Sequence, residues 1–242
     1  VEGMQLLGFY ASMLVDQAHD PDPTVARDSA TLLELLTPIV KAFGSDTALK
    51  ANELAVQILG GYGYTREYPV EQCYRDNRIN PIHEGTNGIQ ALDLLGRKVM
   101  QQGGAGLKLL LAEIGREVDA AKAHAELSAM AEQLAFAAQL AARTTQAAAA
   151  RMQAGEVRAV LANAQHYMTL LGQLTLAWCW LKMARIALAA LPSAHAADAD
   201  FYRGKLQTCR FVFATELPQV ELAARLVASV DDSALAMQGA WF

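Results

Sequence analysis

Three long stretches of helical periodicity, with no alternating strand pattern anywhere, constrain this 242-residue chain most. In the stretch 124–154, Leu127, Met130, Leu134, Ala137, Leu140 (or Ala141) and Thr144 recur at three- and four-residue spacing, as one face of a helix requires. Residues 156–190 repeat the pattern through Val160, Ala164, Met168 (or Tyr167), Leu171, Trp178 and Leu181. Residues 198–229 repeat it through Tyr202, Leu206, Cys209, Phe213 and Val220, with a bend expected at Pro218. Gly155 and the turn Leu191–His195 separate the three. Connections this short favour antiparallel neighbours. The expectation is an all-α protein.

The first hundred residues read as shorter helices punctuated by Pro and Gly. Met4, Leu7, Tyr10 (or Ala11) and Leu14 predict a helix over 2–18. Asp20-Pro-Asp-Pro23 ends it and starts the next, 24–43, which Pro38 should kink or shorten. Gly44-Ser45-Asp46 reads as a stop and a cap. Helix 46–59 follows, with Leu49, Leu54 (or Asn52), Val56 and Leu59 partly inward, and Gly60, Gly61 and Gly63 break it. A short helix is expected over 69–78. Another is expected over 86–101, with Ile89, Leu92 and Val99 in the core. The glycines of Gln101-Gln-Gly-Gly-Ala-Gly106 mark the best boundary in the chain. This divides it into a unit 1–101, a linker 102–106 and a unit 107–242.

Composition excludes several classes of function. Hydrophobic residues make up 53% and charged residues 19%, so the chain can bury a core. A net charge of −5 argues against a nucleic-acid surface. Cys73, Cys179 and Cys209 are odd in number and far apart, which fits a reducing, cytoplasmic setting and neither a disulfide framework nor a zinc site. His124, His166 and His195 lack the spacing of metal ligands, so no metal is expected. The charge-free run from Val160 to Leu181 contains Asn163, Gln165, His166 and Gln173. It reads as a buried bundle helix, not a membrane span. Trp178, Trp180 and Trp241 read as core or interface anchors.

The chemistry concentrates in Asn80-Pro-Ile-His-Glu-Gly-Thr-Asn-Gly-Ile-Gln90. Glu84 stands beside a helix start, and Thr86 and Asn87 are suited to cap it. The helix field lowers the pKa of such a carboxylate, whereas burial raises it. A carboxylate between these effects can be tuned as a base; the plainer reading is that Glu84 complements the helix dipole. His83 reads as a packing and hydrogen-bonding residue, and His83-Glu84 lacks the second histidine of a zinc helix. Arg75, Asp76 and Arg78 read as local ion pairing, and Arg97 and Lys98 as complements to a helix C-terminus.

Three motifs in order, Ala55 through Glu71 (with Gln57-Ile-Leu-Gly-Gly-Tyr-Gly-Tyr64), Tyr74-Arg-Asp-Asn-Arg-Ile79 and Glu84 through Gln90, resemble the C-terminal helical domain of the acyl-CoA dehydrogenases. The resemblance is strongest over 50–100. Residues beyond the glycine-rich boundary resemble the additional helical domain of a longer subgroup, the 3-methylmercaptopropionyl-CoA dehydrogenase type. This implies an antiparallel bundle of the family's C-terminal type followed by a second, long-helix bundle. It further implies FAD as cofactor and an acyl-CoA thioester as substrate. Glu84 would remove the α-proton, the β-hydrogen would leave as hydride to FAD, and the backbone N–H of that residue would help hold the thioester carbonyl. Thr86 would contact the flavin. Gln57, Gly60 and Gly61 would form the turn that approaches the FAD of a neighbouring subunit, where glycine permits close approach. The implied partners are an electron-transfer flavoprotein and further copies, as homodimer or homotetramer. His83 stands where a tyrosine is usual, and Gly88 where many members carry a side chain.

The chain opens mid-helix at Val1-Glu-Gly-Met, without the N-terminal helical and middle β-domains of that family. It is therefore read as a C-terminal fragment, expected to be inactive alone. Two other functions fit the same residues. One is an acyl-CoA oxidase that uses oxygen. The other is a non-catalytic helical assembly module in which Glu84 serves only the helix.

Overall fold

The structure, a computed structural model, describes residues 1–83 and 85–241. All regular structure among the described residues is helical. Helix α1 (Glu2–Gln17) buries Leu7, Ala11 and Leu14. Helix α2 (Pro23–Pro38) starts where Asp22 accepts the Thr24 N–H at 2.8 Å, with Pro23 in the first turn. Pro38 is its last regular residue, but the helical path does not stop there. The chain widens into a π-helical turn, Ile39–Phe43, and continues as α3 (Gly44–Leu59). The expected stop at Gly44 is thus absent, because Gly44 itself is right-handed helical. A wider turn accommodates a proline inside a helix without breaking it.

After α4 (Val70–Asn77) and α5 (Asn87–Asp93), a second π-helical turn spans Leu94–Lys98. The wide turn changes which side chains face inward. Ala91, Leu94, Leu95 and Val99 are buried, whereas Ile89 and Leu92, expected in the core, are exposed. Helix α6 (Gln101–Lys122) begins with a kink at Gln102, Gly103 and Gly104, all at positive φ. Gly106 packs against Leu35 and the Thr31 carbonyl, so the glycine-rich segment is both a bend and a close contact.

Helix α7 (Ala125–Gln153) keeps the expected bounds within one residue and buries Leu127, Leu134, Ala137, Ala141 and Thr144. The expected helix 156–190 is two, α8 (Val157–Leu161) and α9 (Ala164–Ala190). Asn163 separates them by donating its amide N–H groups to the carbonyls of Ala159 (2.9 Å) and Asp231 (3.0 Å). An amide that bonds nearby backbone in this way competes with helix continuation. The expected helix 198–229 is likewise α10 (Ala196–Thr215) and α11 (Gln219–Ser229), with Pro218 at the start of the second. A one-turn helix, α12, spans Ser233–Ala236.

Helix α9 is the axis of the molecule. It is apolar on all sides, as a central helix must be. It is long and apolar enough to cross a membrane, yet it is buried among α1, α5, α6, α7, α10, α11 and both π-helical turns. Two of these approaches are close. A Cβ on Gly172 would overlap the Phe43 ring, and one on Gly3 would overlap Leu176 and Trp180. Trp178 is 2% exposed and meets Tyr10 edge-on, with ring centroids 5.0 Å apart. Trp180 is also buried, whereas Trp241 is exposed. Arg185 of α9 reaches Glu117 of α6 through hydrogen bonds of 2.5 and 3.1 Å. One hydrophobic cluster runs from Leu7 to Val230, so the stretches before and after the glycine-rich segment share a core.

Burial pushes the Cys179 and Cys209 thiols up to about 12, while Cys73 is exposed. The thiolate is the reactive form. At pH 8 the folded chain should therefore be alkylated at Cys73 alone, and at all three cysteines after denaturation, as peptide mass mapping would show. Rapid labelling of Cys209 in the folded chain would contradict this packing.

Candidate functional site

The glycine turn is built from the end of α3. Gly60 adopts φ 58° and ψ −137°, a conformation that needs glycine, and its N–H returns to the Gln57 carbonyl. A 3-10 turn, Gly60–Tyr64, follows. Gly63 is buried against Val56, where a Cβ would strike the Val56 backbone. Gly60 and Gly61 instead face open space: nothing described lies within 4 Å of a Cβ added at either. Sequence reading singled out the two open glycines and missed the packed role of Gly63. The close Gly63–Val56 approach carries no periodic signal.

Gln57 is exposed and lines a cavity with Glu53, Val56, Gly63, Tyr64 and Tyr74. Around it the surface is unusually apolar for a helix end. Leu54, Ile58, Tyr62 and Tyr64 are 50%, 83%, 65% and 84% exposed. Helix α3 has no fully buried residue, so Leu49, Val56 and Leu59 face inward only partly. Tyr62 and Tyr68 stack at 5.7 Å in a tilted arrangement. In α4, Arg75 pairs with Glu71 at 3.9 Å, one helical turn back.

Residues 79–83, which lead into the third motif, lie between α4 and α5. The chain turns over with Ile82 and His83 N–H groups both donating to the Ile79 carbonyl at 2.9 Å. An amide chain accompanies the turn: Asn80 Nδ2 donates to Asn77 Oδ1 at 2.7 Å, and His83 Nε2 meets Asn80 Oδ1 at 3.3 Å. The expected base, Glu84, lies outside the described residues. Gly85 has φ +24°, and the Gln90 amide occupies the place a Cβ on Gly85 would need. Thr86 is the N-cap residue of α5 by position and is exposed, but its hydroxyl makes no capping hydrogen bond.

Asn87 is not a cap either. Its backbone N–H closes the loop onto the Pro81 carbonyl at 3.1 Å. Its side chain, 7% exposed, turns away from α5 and enters the junction of the first π-helical turn and α3. The expected capping role of Asn87 is therefore replaced by a tertiary one, because Lys41 Nζ donates to the Oδ1 that a cap would offer to local N–H groups.

Gln57, Gly60 and Gly61 gather at one end of α3, and Thr86 stands on the exposed start of α5. Among the described residues Gln57 lines its cavity without Thr86. The candidate groups thus form two exposed patches. Arg97 and Lys98 are both engaged: Arg97 with Asp93 at 2.6 and 2.9 Å, Lys98 with Glu34. No group of three or more metal-ligating side chains occurs among the described residues.

Comparison with known proteins gives a consistent picture. Residues 1–100 match the family described as "Acyl-CoA dehydrogenase, C-terminal domain", and residues 110–238 match "Acetyl-CoA dehydrogenase C-terminal like". The 3-methylmercaptopropionyl-CoA dehydrogenase of Ruegeria pomeroyi is 36% identical over 211 residues, 86% of this chain and 35% of that protein. A broad-specificity linear acyl-CoA dehydrogenase of Mycobacterium tuberculosis is 28% identical over 252 residues, 100% of this chain and 41% of that one. The chain thus spans about two fifths of the length of these relatives. The fold is shared with Caenorhabditis elegans ACDH-11, solved with C11-CoA, at a TM-score of 0.66 and 20% identity over 99% of this chain and 35% of that one. It is shared too with a Bacillus anthracis acyl-CoA dehydrogenase complexed with FAD, at a TM-score of 0.59 and 18% identity over 96% and 42%.

Proposed function

Because this chain belongs to the acyl-CoA dehydrogenase family, we propose that it is the C-terminal part of an FAD-dependent enzyme that desaturates an acyl-CoA thioester between its α and β carbons. Glu84 is the base. Its carboxylate takes the α-proton, and the β-hydrogen leaves with its electron pair. FAD, held by these residues, would supply the acceptor for that hydride, and an electron-transfer flavoprotein would be the partner that carries the electrons away. The observation that carries the reading is the order and exposure of the groups around the two turns. Gly60 and Gly61 offer open backbone, and the Thr86 hydroxyl is not spent on capping.

These residues fit a flavin nucleotide. A backbone free of Cβ atoms can approach a flat or phosphorylated group closely, and Gln57 and Thr86 are exposed polar groups at hand. The two patches would belong to two flavins in an assembly, the turn serving a neighbouring subunit. The exposed Leu54, Ile58 and Tyr64 beside that turn favour burial against another copy. We read the assembly as a homodimer or homotetramer in the cytoplasm. In it, residues 1–101 act as the catalytic helical unit, and 107–242 as an additional helical unit joined through the kink at 102–106. Alone, the chain would not turn over.

The test compares the full-length enzyme with this chain, recording the flavin spectrum of each before and after adding acyl-CoA thioesters. Flavin in the longer protein, bleached by thioester, supports the dehydrogenase reading. Reoxidation by oxygen as fast as by the carrier protein would replace it with an oxidase. A full-length protein without flavin would leave only a helical assembly module.

A further inference from the structure

We propose that Asn87 is a positioning residue that holds the Glu84-bearing loop in register through a buried amide anchored on the π-helical turn of the first long helix. This rests on Glu84 being the base. Asn87 ends the segment that begins at Pro81, and its backbone N–H closes that segment onto the Pro81 carbonyl at 3.1 Å. Its side chain bolts the closed loop to another part of the fold, more than forty residues earlier in sequence. Lys41 Nζ donates to its Oδ1 at 2.9 Å, with Ser45 Oγ also near that atom at 3.3 Å. The two N–H groups on its Nδ2 are shared among three acceptors within reach, the Ala42 carbonyl at 3.1 Å, Ser45 Oγ at 2.9 Å and Asp46 Oδ1 at 2.7 Å.

The chemistry of this socket selects an amide. Lys41 can only donate and Asp46 carboxylate can only accept, so the two fix which end of the amide faces which. A carboxylate at 87 would satisfy Lys41 but oppose Asp46, and a hydrocarbon would take away the partner that Lys41 and Asp46 share. The cap geometry shows that α5 does not need the side chain locally, since no capping bond is made at its start. The anchor therefore serves the placement of the loop on the bundle. Ala42 lies in a π-helical turn, and such turns recur at functional sites.

In the full-length flavoprotein, Asn87→Ala should lower flavin reduction at saturating thioester about a hundredfold, the scale expected for a base displaced by roughly 1 Å. Flavin content and thioester affinity should stay within about threefold of the parent. Asn87→Asp should be similarly slow, and the exchange Asn87→Asp with Asp46→Asn should recover most of the loss by restoring a donor opposite an acceptor. An unchanged rate in Asn87→Ala, or a loss that tracks flavin content, overturns the proposal. Should Asn87→Ala fail to fold, Lys41→Met decides: a fall of about tenfold is expected from one charge-assisted bond, and an unchanged rate overturns the role. Glu84→Gln, measured alongside, keeps the two readings apart. If it retains full activity, the base assignment fails; if it is inactive while the Asn87 variants are normal, only the positioning role fails.

Discussion

Glu84→Gln in the full-length flavoprotein is expected to slow flavin reduction by an acyl-CoA thioester by about 10³- to 10⁴-fold, at the upper end of what a positioned base contributes. The amide has nearly the shape of the carboxylate but cannot accept the α-proton. Its backbone N–H is retained, so any part it plays in holding the thioester carbonyl survives. Thioester affinity should therefore change little while the reduction rate collapses, the signature of an interaction used in the transition state. Rapid-mixing absorbance at the oxidised flavin band gives the rate, and titration of the same band gives the affinity. A variant that bleaches within tenfold of the parent would remove Glu84 from the chemistry. The glutamate would then serve only the start of α5. Gly85 should be no freer to vary: its φ of +24° strains any other residue there, whether or not the Gln90 amide moves aside.

How legible this was in the sequence depended on whether the controlling interaction was local. Helix α7 was readable almost to the residue, because an alanine-rich amphipathic run with Gly155 after it needs no tertiary help. The break at Gly60 was readable because its positive φ is a backbone requirement that glycine alone meets cheaply. Pro38 misled in degree. A proline predicts a disturbed ladder, but whether the chain kinks, stops or widens into a π-helical turn depends on what packs there, here α9 through Gly172 and Phe43. The same applies to Ile89 and Leu92. A regular 3.6-residue period puts them inward, and the wide turn at Leu94–Lys98 gives the core to Leu94 and Leu95 instead. Asn163 and Asn87 mark the limit of local reasoning. Both have cap-like chemistry, and both spend it on distant backbone: Asn163 on Asp231, Asn87 on Ala42. Of the site, the residue types and their order were readable as a motif. The two-patch arrangement and the socket of Asn87 required the fold.

Trp178→Ala is expected to cost about 3–5 kcal/mol, the range for removing a buried aromatic side chain. Trp178 is 2% exposed in the middle of α9 and meets the Tyr10 ring of α1 edge-on, an arrangement that adds to simple area burial. Lys182 sits one turn on, with its Nζ 5.7 Å from the Tyr10 centroid and 5.9 Å from that of Trp178. Removing the indole therefore opens a cavity and strips Tyr10 of its partner at once. Burial, reinforced by Glu113, already raises the Tyr10 pKa well above the usual range, so this hydroxyl resists ionisation in the intact packing. Denaturant unfolding followed by circular dichroism gives the loss, and hydrogen exchange shows where it falls. Helix α9 lies beyond the glycine-rich kink yet packs against α1, α5 and both π-helical turns. The loss should consequently appear on both sides of residues 102–106, in α1 as well as α10. Protection lost in α9–α11 with α1 and α2 unchanged would mean instead that the two sequence units unfold independently, and that their shared cluster contributes contact without cooperativity.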